Sequence, residues 1–560
     1  MRRLNEILLF SFLISLVFTF KCGHNMIRNI TPISIELSKP KNTNKNSTRL
    51  LEEKHLIKFY IDDTTIKSQV DEYKITNEYL DEVISSLKKA TGMFEQLLRV
   101  TRTGNIKIVT DLGEYGITRV SNEVKTNGVD ADIVIFPSFN SSLSDGIEAA
   151  AAPIVLESNN KGKPIAGVVY LNTKNYNFAK SNSEEYLEML FFHEVSHILV
   201  FSGNLFPNFV NIDNPYTTSI INGFERTLLS TPKVIEKAKQ YFGCDSLTGV
   251  ELEDQGGEGT AMGHWESRIM LGDYMIGADY GETVISEISL AVFEDSGWYD
   301  VNYYTGGLFR YGKGKGCSFL NQRCASDSYV LSGNEFCKNK AEPFCLSGRT
   351  GRGICYISNY PKALSTSYQY FSDPTKGGYM YADYCPVAFA PSDENYYYPT
   401  SCSFGKQDEI PSSLAQVIGS SSVCMMSSLT PQNGSGLSEY RNKMRSMCYP
   451  ITCDNTSKTV TIHIGSSTIS CPKEGGEKTL DGYTGSVFCP DYNLVCTGTS
   501  FCNDPFSCIN LKSIPLDGTF TYDYQANNDQ NVKSSNIKGN GSNLSISLSM
   551  IIILIVELLL

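Results

Sequence analysis

Histidine is scarce in this chain, with six in 560 residues, and tryptophan is scarcer, with two. Charge is thin as well: Asp, Glu, Lys and Arg make up 19%, and 48 basic residues against 60 acidic ones leave a net charge of −12. A chain without a basic excess has no electrostatic footprint for a phosphate backbone, so nucleic acid is excluded as a partner. No cysteine lies between Cys22 and Cys244, so the first half must hold together by its apolar core rather than by cross-links. No internal repeat of fixed period is present, which excludes solenoids and propellers. What is plentiful, 41% hydrophobic and 11% aromatic residues, excludes wholesale disorder. The length corresponds to about three or four ordinary domains.

Both ends carry apolar runs. Met1-Arg2-Arg3 and the run over 7–20 have the basic start and short hydrophobic centre of a secretory signal peptide, assigned to residues 1–20. Residues 544–560 are almost wholly apolar, behind a polar stretch with small residues at Ser534, Ser535, Asn536, Gly539, Asn540 and Gly541. That is the composition of a GPI-attachment signal after a flexible stalk over 511–543, and Glu557 within the run argues against a membrane span. Asn-x-Ser/Thr sequences at Asn29, Asn46, Asn140, Asn433 and Asn455 fit the same route. The expected location is the cell surface, with membrane contact through a C-terminal lipid anchor. There the sixteen cysteines over 244–508 read as up to eight disulfides, with Cys22 left over.

Residues 21–74 are polar and loop-like and read as a pro-segment with little core of its own. Over 76–100, Thr76 and Asn77 offer caps, and Tyr79, Val83, Leu87, Met93, Leu97 and Leu98 keep roughly a 3.6-residue rhythm, which predicts a helix. Short β-branched runs at 106–109, 131–136 and 165–171 predict strands packed on it. A second helix is predicted over 184–200. Residues 75–200 therefore read as an N-terminal catalytic subdomain of α+β class. A mostly helical, loop-rich central subdomain follows over 201–310. The cysteine-rich C-terminal domain over 311–510 is expected to carry little regular structure.

The chemistry is concentrated in EEYLEMLFFHEVSHILVFSG. On a helix, His193 and His197 lie one turn apart on one face and can direct both imidazoles at one metal, with Glu194 beside them to polarise a bound water. Tyr186, Leu187, Leu190 and Phe191 supply a buried face that would hold the pair rigid. A catalytic zinc keeps three protein ligands and one open position, so a third ligand is required. A carboxylate such as Glu258 or Glu266 would give one class of zinc hydrolase, and a histidine another. The remaining histidines are His24, His55, His264 and His463. His264 stands in EDQGGEGTAMGHWESR, eleven residues before Met275 in the glycine-flanked GDYMIG.

These segments resemble the leishmanolysin-type surface metalloproteases, metzincins in which a long insertion separates the HExxH helix from a third histidine. GKPIAGVVYLN (162–172) is similar to the family's strand ahead of the active-site helix. EDQGGEGTAMGHWESR (253–268) is similar to its third-ligand segment, and YGKGKGCSF (311–319) to the start of its cysteine-rich domain. The resemblance spans 165–508 and implies a metzincin-like catalytic domain with a mixed sheet. It also implies one Zn2+ on His193, His197 and His264, Glu194 as general base, and Met275 as the Met-turn residue, although Met270 lies close. Protein or peptide substrates are implied, with the strand at Ala166-Gly167-Val168 pairing with an extended peptide. Finally, Cys22-Gly23-His24 is similar to a pro-segment motif whose thiolate caps the zinc, which makes Cys22 a latency switch.

Two features depart from the family pattern. The first half lacks the family's cysteines, and Val200 stands where a glycine is expected three residues after the second histidine. Valine disfavours positive φ, so either the helix runs on to Gly203 or the turn differs. The sequence therefore points to a zinc-dependent endopeptidase, surface-bound or secreted. The alternative is a catalytically weak GPI-anchored adhesion or receptor protein on the same fold.

Overall fold

A computed structural model describes residues 22–27, 30–37, 54–101, 105–175, 184–255, 261–278, 284–303, 309–325, 335–390, 401–402, 411–419 and 421–496. The expected signal peptide, stalk and anchor tail lie outside the described residues, as do Asn29, Asn46, Glu258, Cys502 and Cys508.

The first half is α+β. Helix α1 (Asn77–Leu97) begins where the Thr76 side chain accepts from the Tyr79 N–H, and its apolar positions Tyr79, Leu80, Val83, Leu87, Ala90, Phe94 and Leu97 are all buried. Each large side chain so buried contributes about 1.5–3 kcal/mol, which is ample to seat the helix. Phe94 stacks on Phe192 of helix α2 (Glu184–Leu199), ring centroids 4.1 Å apart. Beneath lies a mixed five-stranded sheet made of β1 (Ile33–Ile35), β2 (Phe59–Ile61), β3 (Ile133–Asn140), β4 (Ala149–Glu157) and β5 (Lys163–Asn172), in the order β1-β4-β5-β3-β2. β4 runs antiparallel to β5 and the other pairings are parallel. All ten residues of β5 are buried, which is why its sequence is a continuous apolar run rather than an alternation.

Three local expectations change. The predicted first helix stops at Leu97, because residues Leu98–Thr101 pair as a strand with Lys54–Leu56 and Asp300–Val301. The run at 106–109 forms only an isolated bridge, Ile106 to Val129. The stretch 54–74 is not loop-like. It supplies a strand, then β2 in the main sheet, then two short helices, and Ile57 and Ile66 are buried in the core. Its apolar residues are too few to show a period, yet each lands on an existing surface.

The central region also holds more strand than expected. Strands β6 (Tyr216–Ile221) and β7 (Phe224–Leu229) form a hairpin, with β8 (Val250–Glu251) added to β7. Asn222 and Gly223 at its tip have φ of 53° and 86°, the left-handed conformation that a two-residue hairpin loop demands. Helices α3 (Pro232–Phe242) and α4 (Glu287–Asp295) pack together here.

The C-terminal region corrects the expectation of little regular structure. Strands β9 (Ser422–Ser427), β10 (Arg445–Asp454), β11 (Thr459–Ile464), β12 (Ser467–Cys471), β13 (Gly476–Lys478) and β14 (Val487–Cys489) form one antiparallel sheet, ordered β12-β11-β10-β9-β14-β13. Its core includes Met447, Tyr449, Ile451, Val460, Ile462 and Ile464. The alternation in TVTIHI, with Val460, Ile462 and Ile464 inward, carried that signal amid the cysteines. Among the described residues seven disulfides are formed: 244–317, 324–385, 337–355, 345–424, 402–448, 453–496 and 471–489. Each contributes on the order of 2–4 kcal/mol by restricting the unfolded chain.

Candidate metal centre

Helix α2 is enclosed on every side. Leu187, Phe191, Phe192, Val195, Ile198 and Leu199 are buried, and so are His193, Glu194, Ser196 and His197. One glycine allows this. A Cβ on Gly167 of β5 would stand 2.2 Å from Ile198 Cγ2, so only a glycine lets the helix lie this close to the sheet. The glycine was noted in the sequence, but for a different role. Ala166, Gly167 and Val168 were expected to pair with a substrate, and that reading is corrected here. β5 is an interior strand, bonded to β3 along one edge and β4 along the other, and no peptide can add to it.

The helix ends at Leu199 without a left-handed residue. The Phe201 N–H donates to the Ser196 carbonyl at 2.8 Å, and the Ser202 N–H to the Val200 carbonyl at 3.0 Å. Val200 does not have positive φ. The helix therefore does not continue to Gly203; the turn closes by a wider bond, and the missing glycine is not needed. The turn also aims the Phe201 carbonyl at His197 Nδ1, 2.6 Å away.

Three imidazoles meet beside this turn. His197 Nε2 lies 3.0 Å from His193 Nε2 and 3.2 Å from His264 Nε2, and His264 Nε2 lies 3.2 Å from His193 Nε2. His264 arrives on a short pinned segment in which Trp265 bridges Leu252 on one side and Ile276 on the other. The Trp265 indole N–H donates to Ser289 Oγ at 2.7 Å. His193 Nδ1 lies 2.5 Å from the Tyr274 carbonyl, which brings the 273–276 turn against the pair. Met275, the next residue, is fully buried. Its N–H donates to Asp273 Oδ1 at 2.7 Å.

These contacts fix the protonation pattern. A carbonyl oxygen only accepts, so the Nδ1 atoms of His193 and His197 carry the protons and their Nε2 atoms present lone pairs. Lone pairs 3.0 Å apart repel unless a cation lies between them. Burial holds His193 down to about 4 and His197 well below its ordinary value, so both rings are neutral, the ligand form. Imidazole nitrogens at 2.0–2.1 Å from a tetrahedral zinc stand about 3.3 Å apart, close to the spacing observed. The donor set fits a zinc ion. Glu194 is wholly buried beside the Cys22 thiol, and burial pushes it up to about 8.

A fourth donor completes the cluster. Cys22 Sγ lies 3.3 Å from His197 Nε2, and the four ligand atoms lie within 4.8 Å of one another. Burial first, and then the charge of Glu194, push the Cys22 thiol well up; a cation at the site would reverse that shift. His24, unassigned in the sequence reading, stacks on His197 with centroids 4.1 Å apart and planes 4° from parallel. Its ring nitrogens lie 2.6 Å from the Ala151 carbonyl and 3.0 Å from Ser202 Oγ. Residues 22–27 and 30–37 thus lie along the outer edge of β4: Cys22 bridges Ala149, and β1 pairs with Val155 to Glu157. A cavity of about 440 Å³ lies beneath, lined in part by His24, Ile27, Pro32, Ala152, Leu156 and Ser202.

The other sequence candidates lie elsewhere. His55 bonds Asp132 and His463 bonds Thr452. Glu266 belongs to a different cluster, with Glu253 and Asp254, and its Oε1 accepts from the Arg268 N–H at 2.8 Å.

The peptidase M8 (leishmanolysin) family model matches residues 64–502. The chain belongs to the leishmanolysin family. It is a metalloendopeptidase. A leishmanolysin homolog from Crithidia fasciculata is 28% identical over 462 residues, covering 77% of this chain and 67% of the homolog. The leishmanolysin of Leishmania major is 26% identical over 446 residues, 76% of this chain and 70% of the relative. A leishmanolysin-like peptidase of Drosophila pseudoobscura pseudoobscura is 38% identical over a shorter 181 residues, 29% and 26% of the two chains. As a leishmanolysin-family peptidase the chain requires a metal, and the His/Cys cluster is one that can hold it.

Proposed function

We propose that the metal is zinc and that the chain is a metzincin-type endopeptidase, exported in a latent form, that cleaves protein or peptide substrates at the cell surface. The observation that carries the reading is the convergence of three imidazole Nε2 atoms at 3.0–3.2 Å in a dry site. His193, His197 and His264 hold the ion. Bound zinc supplies Lewis-acid activation of a water and of the scissile carbonyl. Glu194 is the general base: its carboxylate takes the proton from that water and returns it to the leaving amine nitrogen. Met275 forms the apolar floor below the ligands.

Cys22 is the latency device, and His24 is its anchor. The removable stretch ends before Lys54, short of residue 74, since Ile57 and Ile66 are fully buried in the core of the catalytic half whereas no residue of β1 is. Its departure frees the outer edge of β4, and an extended substrate gains main-chain hydrogen bonds there. Residues 544–560 are read as the GPI signal that tethers the enzyme through a stalk. The deciding experiment measures zinc content and hydrolysis of an unfolded protein after removal of the N-terminal segment. One zinc per chain is expected, with activity lost to a chelator and restored by zinc. A metal-free yet active enzyme would sink the reading.

A further inference from the structure

The segment that delivers His264 also carries a second, separate ionic cluster. Glu251, Glu253, Glu266 and Asp383 are buried, and Asp254 is partly so. Two guanidiniums face these five carboxylates. Arg226 meets Asp254, and its Nη2 donates to Asp383 at 2.7 Å; Arg268 meets Glu251, and its Nε donates to Asp383 at 3.3 Å. Both arginines are thereby committed to Glu251, Asp254 and Asp383. Glu253 and Glu266, exposed by 0% and 1%, have no salt-bridge partner among the described residues. Each has one oxygen engaged, by the Gln255 N–H at 2.7 Å and the Arg268 N–H at 2.8 Å. The other, Oε2 in both, is buried without a hydrogen-bond partner.

We propose that Glu253, Asp254 and Glu266 bind a structural divalent cation of the calcium class. Ligand oxygens of the three lie within 4.8 Å of one another. Ca2+ accepts several protein carboxylates in a flexible geometry, whereas Mg2+ dehydrates reluctantly and usually keeps several of its waters. The all-oxygen donor set, without His or Cys, selects a hard ion over zinc. The cation neutralises the two carboxylates that the arginines leave unpaired, and it gives a partner to Glu253 Oε2 and Glu266 Oε2; the other buried oxygens without a hydrogen bond in the cluster, Glu251 Oε2 and Asp383 Oδ1, belong to carboxylates that the arginines already neutralise. It also holds the third imidazole in place. The Glu253 N–H donates to the His264 carbonyl at 2.9 Å, the Met262 N–H donates to the Glu253 carbonyl at 2.8 Å, and Glu266 follows His264 by two residues. That last consequence rests on the zinc reading above; the cation site itself does not.

The test uses the full chain as Glu194→Gln, so that it cannot digest itself, in zinc-replete buffer. Equilibrium dialysis with radiolabelled Ca2+ is expected to give one Ca2+ per chain, with an affinity of about 10⁻⁴–10⁻³ M, as in extracellular modules. The thermal midpoint rises with Ca2+. Glu253→Gln/Glu266→Gln loses both the bound Ca2+ and the response of the midpoint. Zinc assayed on the same samples separates the two sites, since a chain that takes up Ca2+ but no zinc refutes only the zinc reading. Absence of Ca2+ binding by the parent chain at on the order of 10 mM, ten times the weaker affinity, overturns the proposal even if the variant fails to fold. So does a double variant that matches the parent in stability and Ca2+ response, which would mean that the two carboxyls share a proton.

Discussion

Replacing Gly167 with Ala tests the seat of the active-site helix. The added methyl would stand 2.2 Å from Ile198 Cγ2 and 2.7 Å from both Cγ1 and Cδ1, where carbon atoms in contact normally keep about 3.5–4.0 Å. Because Cγ1 and Cγ2 are both in the way, no rotation of Ile198 clears the clash, and the helix must withdraw by about 1 Å. Overpacking of this kind costs about 1–3 kcal/mol, and the displaced residue adjoins His197. In an Ile198→Ala background the obstructing carbons are gone. That change alone costs about 2–5 kcal/mol, but Gly167→Ala then fills part of the cavity and becomes neutral or stabilising. A double-mutant cycle by denaturant unfolding, at fixed free zinc and in the Glu194→Gln chain, should give a coupling of about 1–3 kcal/mol. Zinc retention after dialysis should fall in Gly167→Ala and recover in the double variant. Equal costs of Gly167→Ala in both backgrounds would refute the packing argument.

Glu194→Gln should retain zinc while losing about 10²–10⁴-fold in kcat, the share expected of a general base; unchanged turnover would assign the proton transfer elsewhere. His264→Ala should lower zinc affinity by more than about 100-fold, seen as metal lost on dialysis against a chelator, and retention equal to the parent would exclude His264 as a ligand. Cys22→Ala should abolish the lag before activity in the full-length chain, and a persistent lag would place latency in the covering segment alone. Burial pushes Glu148 up to about 8. At pH below its ordinary value both folded and unfolded forms are protonated and nothing is lost; between there and pH 8 only the unfolded form ionises, so stability falls by at most about 1.4 kcal/mol per pH unit. Glu148→Gln should therefore leave stability unchanged near pH 4 and raise it progressively toward pH 8, and a pH-independent difference in unfolding midpoints would contradict that assignment.

Much of the catalytic half was legible because its signals are local. Thr76 capping an apolar 3.6-residue rhythm, and two histidines spaced one turn apart, are properties of single segments. Glu266 and His264 could not be separated by sequence alone, since both lie in one segment and only the pinning of Trp265 between Leu252 and Ile276 decides which faces the helix. The interior position of β5 was hidden for the opposite reason. A buried strand and a substrate-binding edge can share the same composition, and only the register with β3 and β4 distinguishes them. At the turn after His197 the sequence left open a helix running on to Gly203 or a different turn, and the wider bond from Phe201 to Ser196 decides for the second. In the C-terminal half, cysteine density drew attention away from the alternation over Thr459–Ile464.

Residues 22–27 and 30–35 lie along a strand that would otherwise show water a row of unsatisfied amides and carbonyls. Such rims are where nascent polypeptides stick to one another. Under the proposed function, the same few residues that cap the metal centre would also sheathe that rim. Their removal would then bare the metal centre and an adhesive strand edge in a single event.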